Sequence, residues 1–393
     1  MNYIDVKKNE DILTVFLKGH IDSSNSQAVE DEIRAAREEN PARGLTLDCE
    51  NLDYISSAGL RIILRLKKEV ADLSIVNVSS EVYEVFDMTG FTEMMHIEKA
   101  YRKISVEGCE VIGQGSNGKV YRIDPDTIVK VYKNPDSLDD IKRERELART
   151  ALILGIPTAI PYDVVKVGGS YGSVFELLNA KSFAALINED PKNLDGVVTM
   201  SVDLLKKIHG TVVDQGSMPP MKETAMKWVT YLKDYLPKEQ YDKLYRLFDE
   251  VPEDNHMLHG DYHIKNVMLQ NGEVLLIDMD TLCVGHPIFE FAAMFNAYEG
   301  YSAADHSVTK NFLGIEHEQA VEIWQKSLKL YFEDRSDEEI AEIEKKAQLI
   351  GFARILRRAI KREGIDNPEA RPLIDICFAK IAELLPQVDT LTY

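Results

Sequence analysis

The sequence predicts two domains in tandem: an α/β unit with a mixed sheet and helices over residues 1–100, then a two-lobed α+β unit over residues 104–393. At 393 residues the chain is longer than a single hydrophobic core usually serves. Strand-like and helix-like periodicities alternate through its first hundred residues. The alternation stops at about Ala100 to Cys109, where a glycine-rich hairpin pattern begins and a mainly helical stretch eventually follows.

In the first unit, Ile12 to Leu17 is apolar and β-branched, and after the Gly19-His20 break Ser24 to Arg37 reads as an amphipathic helix. Gly44 to Leu47 gives a second strand, Gly59 to Val70 a second helix, Leu73 to Val78 a third strand and Val82 to Met88 a short third helix. In the second unit, strands at Val111 to Ile112 and Val120 to Ile123 flank a glycine turn, and Ile128 to Tyr132 is the next strand. A charged helix follows from Leu138 to Leu154, then strands around Val164 and Val174, completing a β-rich lobe over about residues 104–180. From 181 to 393 the pattern is helical, with strand signals only at Val267 to Leu269 and Val274 to Ile277. The acidic run from Glu333 to Glu339 reads as a helix start capped by Ser336.

Composition narrows the function. The hydrophobic share of 45% is that of an ordered globular chain. With 66 acidic against 46 basic side chains the formal net charge is -20, which repels phosphate backbones and anionic lipid, so neither nucleic acid nor a membrane is the expected partner. Met1 to Glu10 lacks the apolar stretch of a signal peptide, and the apolar run Leu60 to Leu66 is broken by Arg61 and Arg65. Cys49, Cys109, Cys283 and Cys377 form no CxxC pair, so free thiols in a reducing, cytoplasmic compartment are expected.

The residues that carry chemistry lie in the second unit. Gly113-Gln-Gly115-Ser-Asn-Gly118 has the GxGxxG spacing that lets backbone amides approach phosphate oxygens. A dinucleotide fold needs a helix to start inside this motif, whereas Lys119 to Ile123 is strand-like. Lys130, in the next strand Ile128-Val-Lys-Val-Tyr132, can reach from the sheet to the phosphates if a carboxylate holds it. Glu144 and Glu146 are the candidates; two apart on one helix, they face different sides, and Glu144 is favoured. The strongest signal is His259-Gly-Asp261-Tyr-His263-Ile-Lys-Asn266, followed by Leu275-Leu-Ile-Asp278-Met-Asp280. Asp261 can orient and deprotonate an attacking hydroxyl, while Asn266 and Asp278 can coordinate Mg²⁺ that bridges the phosphates of ATP.

With HGDxHxxN followed by IDxD, the second unit resembles the aminoglycoside phosphotransferase and choline kinase branch of the protein-kinase-like fold. The resemblance implies Asp261 as catalytic base, Asn266 and Asp278 as magnesium ligands, and Lys130 with Glu144 as the phosphate clamp. It further implies Phe175 to Leu178, including Glu176, as the segment whose backbone meets adenine, and His263 as an orienter of the catalytic loop. Where the branch often has a GDPxxDLA segment, this chain reads Gly285-His-Pro-Ile-Phe-Glu-Phe-Ala292, so His286 and Glu290 stand in place of acidic residues that anchor the loop. No APE element follows, which argues against an activation loop of the eukaryotic kinase type.

The first unit resembles the STAS family of sulfate transporters and anti-sigma factor antagonists, on Leu17-Lys-Gly-His-Ile-Asp22 and Leu52-Asp-Tyr-Ile-Ser56-Ser57-Ala-Gly59-Leu60. That resemblance implies Ser57 as a phosphorylation site governing an anti-sigma-factor-like partner; the plainer reading is that Ser56 or Ser57 caps a helix. The functions that follow are a bacterial signalling protein whose kinase-like domain phosphorylates a hydroxyl, on a protein serine or a small molecule; a small-molecule O-kinase acting on an aminoglycoside, amino sugar or choline-like alcohol with STAS as sensor or dimeriser; or a nucleotide-binding scaffold without turnover.

Overall fold

The computed structural model describes residues 3–9, 11–114, 118–134 and 137–393, which divide into two units, Met1–Ser105 and Val106–Tyr393. In the first, a five-stranded sheet runs in sequence order: β1 (Ile4–Asn9), β2 (Ile12–Ile21), β3 (Gly44–Ile55), β4 (Leu73–Val78) and β5 (His96–Lys99). The first two strands are antiparallel and the other three pairs parallel. Parallel neighbours require crossovers, here the helices α1 (Ser26–Glu39), α2 (Ser57–Glu69) and α3 (Ser80–Met88). Leu13, Val15 and Leu17 alternate along β2 and join a core with Val29 and Ile33 of α1 and Ile62, Ile63 and Leu66 of α2. Buried Glu30 accepts hydrogen bonds from Arg34 and from Arg65, tying α1 to α2.

The mixed sheet with helices is therefore as the sequence predicts. The second strand continues well beyond Leu47 to Ile55, and the two outer strands, β1 and β5, carry too few apolar residues to have been legible.

The second unit opens on a β-rich lobe. Strands β6 (Glu110–Gln114), β7 (Gly118–Asp124), β8 (Thr127–Tyr132), β9 (Pro161–Val167) and β10 (Ser170–Glu176) pair antiparallel in the order β9-β10-β8-β7-β6, with α4 (Leu138–Ile153) packed on them. Gly118 begins β7 because a Cβ there would lie 2.2 Å from the Val131 carbonyl oxygen of β8.

The helical lobe contains α5 (Leu194–His209), α6 (Met221–Tyr231) and one inserted hairpin, β11 (Val267–Gln270) with β12 (Glu273–Leu276). Asn271 and Gly272, both at positive φ, close that hairpin as Asn-Gly turns do. At the centre lies α7 (Ile288–Tyr298), apolar nearly all round and buried at every residue, against which pack α8 (His317–Tyr331) and α9 (Asp337–Glu363). Ser336 caps α9 in a reciprocal box with Glu339. The four cysteines are unpaired, with Cys49, Cys283 and Cys377 buried, and no helix of the described residues is long and apolar enough to cross a membrane.

Candidate active site

Alternation along β8 puts Lys130 and Tyr132 on the same face, toward α4. Lys130 Nζ donates to Glu144 Oε1 at 2.8 Å and to Asp278 Oδ1 at 3.1 Å, and the Tyr132 hydroxyl donates to the other Glu144 oxygen. Burial alone pulls the Lys130 ammonium down; Glu144 and Asp278 outweigh it and hold the lysine charged well above its ordinary range. Glu146 points elsewhere, pairing with Arg145 and Arg149 at the surface.

Asp261 and Asn266 sit on the loop between buried Leu258 and β11. Gly260 holds φ +81°, and a Cβ on it would meet the Thr281 carbonyl oxygen at 2.6 Å, so this turn excludes other residues. Glu290, inside α7, accepts from the backbone amides of His259 and Gly260. The His259 ring accepts from the Asp261 amide through Nδ1 at 3.3 Å and meets the Ile277 carbonyl through Nε2 at 3.2 Å, which assigns the hydrogen to Nε2. Thr281 Oγ1 donates to the His259 carbonyl at 2.7 Å. The loop is thus fixed both to the core helix and to the segment bearing Asp278.

The Asn-Gly hairpin explains how residues twelve apart meet: Val267 pairs with Leu276, and the Ile277 amide donates to the Asn266 carbonyl at 2.9 Å, so Asn266 and Asp278 flank the hairpin's open end. Asn266 Nδ2 donates to the Asp261 carbonyl at 3.0 Å, leaving Oδ1 as its free acceptor. Asp278 adopts φ +64°, a strained left-handed conformation for a non-glycine residue, and its carboxylate is exposed. Both residues line a cleft of about 420 Å³ that is also bounded by Gly113, Gly118, Glu176 and Leu178. Gly115 lies outside the described residues. Asp261 is not in the cleft wall but joins it through Asn266.

Electrostatics distinguish the carboxylates. For Asp261, burial pushes the carboxyl up, but the His263 ring, 3.6 Å from Oδ2, together with His259 and Arg354 holds it down at about 2. His263 itself is buried edge-on against Phe312 at 5.0 Å between ring centres. Asp280 is pushed up to about 6, chiefly by burial and then by the charge of Asp278, so the site gains a negative charge as pH rises through that value. Asp278, Asp280 and Glu144 together around Lys130 make a place where added cationic charge is stabilised. Asp278 and Asn266 Oδ1 are hard oxygen donors of the kind that magnesium takes one or two at a time, so they fit that ion; no group of three or more His, Cys, Asp or Glu poised for a metal occurs among the described residues.

The model of the phosphotransferase enzyme family matches residues 108–322, more than half of the chain. The chain belongs to that family. Its phosphotransferase domain is preceded by a STAS domain, matched at residues 3–104. Over 98 residues the chain is 33% identical to a Bordetella bronchiseptica protein described as the anti-sigma factor antagonist BtrV, covering 24% of this chain and 84% of that one. It is 26% identical over 98 residues to the anti-sigma-B factor antagonist of Bacillus subtilis, covering 24% and 88%. Among solved structures, a thermostable mutant of aminoglycoside phosphotransferase APH(4)-Ia in ternary complex with ADP and hygromycin B is similar at a TM-score of 0.50 and 14% identity, over 72% of this chain and 94% of that one. That likeness is one of fold.

The structure brings Lys130, Glu144, Asn266 and Asp278 together and sets Asp261 and His263 side by side next to them. The sequence reading missed Tyr132, though its position two residues after Lys130 on a strand was the available signal. It missed His209, whose Nε2 lies 3.9 Å from Glu290 Oε2 beneath the loop; nothing local in the sequence marks it. The departure at His286 and Glu290 resolves simply. His286 Nδ1 accepts from the Ile288 amide, and Glu290 performs the anchoring.

Glu290 also yields a stability prediction. Burial raises its pKa, but His209, His259 and the Gly260 amide together outweigh this and keep it below the ordinary glutamate value. Its contribution is therefore complete above the unfolded-state pKa and is lost as pH falls through the folded one. Glu290→Ala leaves two buried amides unpaired and is expected to cost about 3 kcal/mol or more, whereas Glu290→Gln keeps an acceptor oxygen and costs less. Denaturant unfolding of both variants checks this ordering; equal losses would mean that amide anchoring is not what Glu290 supplies.

Proposed function

We propose that the chain is a cytoplasmic bacterial signalling protein that transfers the γ-phosphate of Mg²⁺-ATP to a hydroxyl group, with the STAS domain providing regulation or docking. The observation that carries this reading is Lys130 held between Glu144 and Asp278 in a cleft that the 175–178 segment also lines. The amides of Glu176 and Leu177 are taken by the carbonyls of Ile160 and Asp126, so the Glu176 carbonyl and the Leu178 amide are what that edge offers to adenine. Gly113 and Gly118 let backbone approach the phosphates, and Lys130 neutralises their oxygens. Asp278 and Asn266 would hold magnesium, whose charge would help to neutralise the phosphates. Asp261, ionised throughout the neutral range, orients the acceptor hydroxyl as a hydrogen-bond acceptor and takes its proton as the new bond to phosphorus forms.

In the STAS domain, Ser56 is the helix cap, accepting from the Ala58 amide at 3.2 Å, whereas Ser57 at the first turn of α2 is exposed. A phosphate there faces free helix amides, a placement worth about 0.3 to 2 kcal/mol, so the fold tolerates it while the surface potential changes. Ser57 is expected to carry phosphate, from this enzyme or a separate kinase, and thereby change binding to an anti-sigma-factor-like partner. Mass spectrometry after incubation of the intact chain with Mg²⁺-ATP, with Ser57→Ala and Asp261→Asn alongside, tests self-phosphorylation. Phosphate only at other residues rejects Ser57 as the enzyme's own target, and a Ser57→Asp variant with unchanged partner affinity rejects the switch.

A second reading, a small-molecule O-kinase with STAS as sensor or dimeriser, is supported by the likeness of fold to an aminoglycoside phosphotransferase in complex with ADP and hygromycin B.

A further inference from the structure

The Glu144 side chain is almost fully buried, and a carboxylate taken out of water is costly unless both of its oxygens are bonded. Lys130 Nζ donates to Oε1 at 2.8 Å, and the Tyr132 hydroxyl donates to Oε2. A lysine ammonium has three N–H groups. One goes to Glu144 and a second to Asp278 at 3.1 Å; among the described residues the third has no acceptor and is left for the cleft that Lys130 lines. Without the Tyr132 hydroxyl, Oε2 would be a buried acceptor in want of a donor, and the ammonium already bonded to the other oxygen of the same carboxylate could swing onto it.

Tyr132 is held so as to present that hydroxyl. It pairs with Gly118 of β7, and its carbonyl accepts from Ser170 Oγ at 2.7 Å. Burial, and then the charge of Glu144, push the hydroxyl far above its ordinary range, so it is a donor throughout the neutral range. Among the described residues Glu144 lines both the nucleotide cleft and a second cavity of about 370 Å³, whereas Tyr132 lines only the second. The tyrosine therefore acts on the cleft through Glu144 and not by touching nucleotide.

We propose that Tyr132 is a positioning residue of the phosphate clamp: by occupying the second oxygen of Glu144 it reserves one N–H of Lys130 for the phosphates of ATP. The proposal rests on the reading of this cleft as the nucleotide site. It accounts for a buried hydroxyl at a place where phenylalanine would fill nearly the same space. It also leaves Glu144 with a partner when Lys130 moves onto phosphate, so that α4 stays tied to β8.

The test is calorimetric titration of the intact native chain, Tyr132→Phe, Glu144→Ala and the pair, each with Mg²⁺-ATP and with adenosine. Phenylalanine keeps the ring and removes only the hydroxyl. Tyr132→Phe is expected to weaken ATP binding about tenfold, the worth of one hydrogen bond to a charged group, and to change it little once Glu144 is alanine. Adenosine, which has no phosphate, should bind the native chain and Tyr132→Phe alike. Equal losses for ATP and adenosine, ATP affinity unmoved by Tyr132→Phe, or an undiminished effect beside Glu144→Ala would overturn the proposal. Were Tyr132→Phe too unstable to titrate, recovery of folding in the pair would support it, since the pair leaves no buried carboxylate oxygen unbonded, and a pair less stable than Glu144→Ala alone would overturn it. A native chain that binds neither ATP nor adenosine would overturn the phosphotransferase reading, and this proposal with it.

Discussion

Asp261→Asn is expected to lower phosphoryl transfer by about 10²- to 10⁴-fold while leaving Mg²⁺-ATP affinity near that of the native chain. Its side chain lies outside the nucleotide cleft and is joined to it only through the hydrogen bond from Asn266 Nδ2 to its main-chain oxygen, which the substitution preserves. What asparagine removes is the negative charge that accepts the acceptor's proton. The loop itself should persist, since it is held by Glu290, His259 and Thr281 and not by the Asp261 carboxylate. Calorimetric ATP titration beside a coupled ADP assay separates the two effects. Parallel loss of binding and turnover would show that Asp261 supports nucleotide and not acceptor.

Asp278→Asn should act on the other half of the cycle, weakening magnesium-dependent ATP binding by about a hundredfold or more, because a metal–phosphate interaction worth several kcal/mol loses its anionic ligand. Lys130 keeps Glu144 as partner, so the lysine stays in place and the loss is specific to the metal-dependent component. Removing the charge also relieves Asp280, whose carboxyl Asp278 helps to push up, and the group near pH 6 should move toward the ordinary aspartate range. ATP titrations with and without magnesium across pH 5 to 8 check both effects. Unchanged magnesium dependence would remove Asp278 from the metal site.

Much of this site was readable because its residues act through short-range chemistry that leaves a spacing in the sequence. Lys130 was marked by being the one charge in an apolar strand, Asn266 by standing five residues after Asp261 on the same loop, and Asp278 by emerging from an apolar strand. Helical spacing said that only one of Glu144 and Glu146 could serve, and the favoured Glu144 is the one that contacts Lys130. What the sequence did not disclose depends on long-range packing. His209 lies 50 residues or so before the loop it supports, and only long-range packing against Glu290 of buried α7 brings it under that loop. In the STAS domain the alternating core strands were legible and the charged strand β1 was not, since an edge strand exposes most of its side chains.

The most direct measurement is the fate of the terminal phosphate of γ-labelled ATP incubated with magnesium and the intact chain, run in parallel with Asp261→Asn and with no enzyme. The expected result is label leaving ATP with the native chain and appearing as a phosphate monoester on the protein or on an added alcohol, with the variant near background. Label that stays on ATP in every acceptor mixture, or leaves equally fast with the variant, would contradict a phosphotransferase working through Asp261.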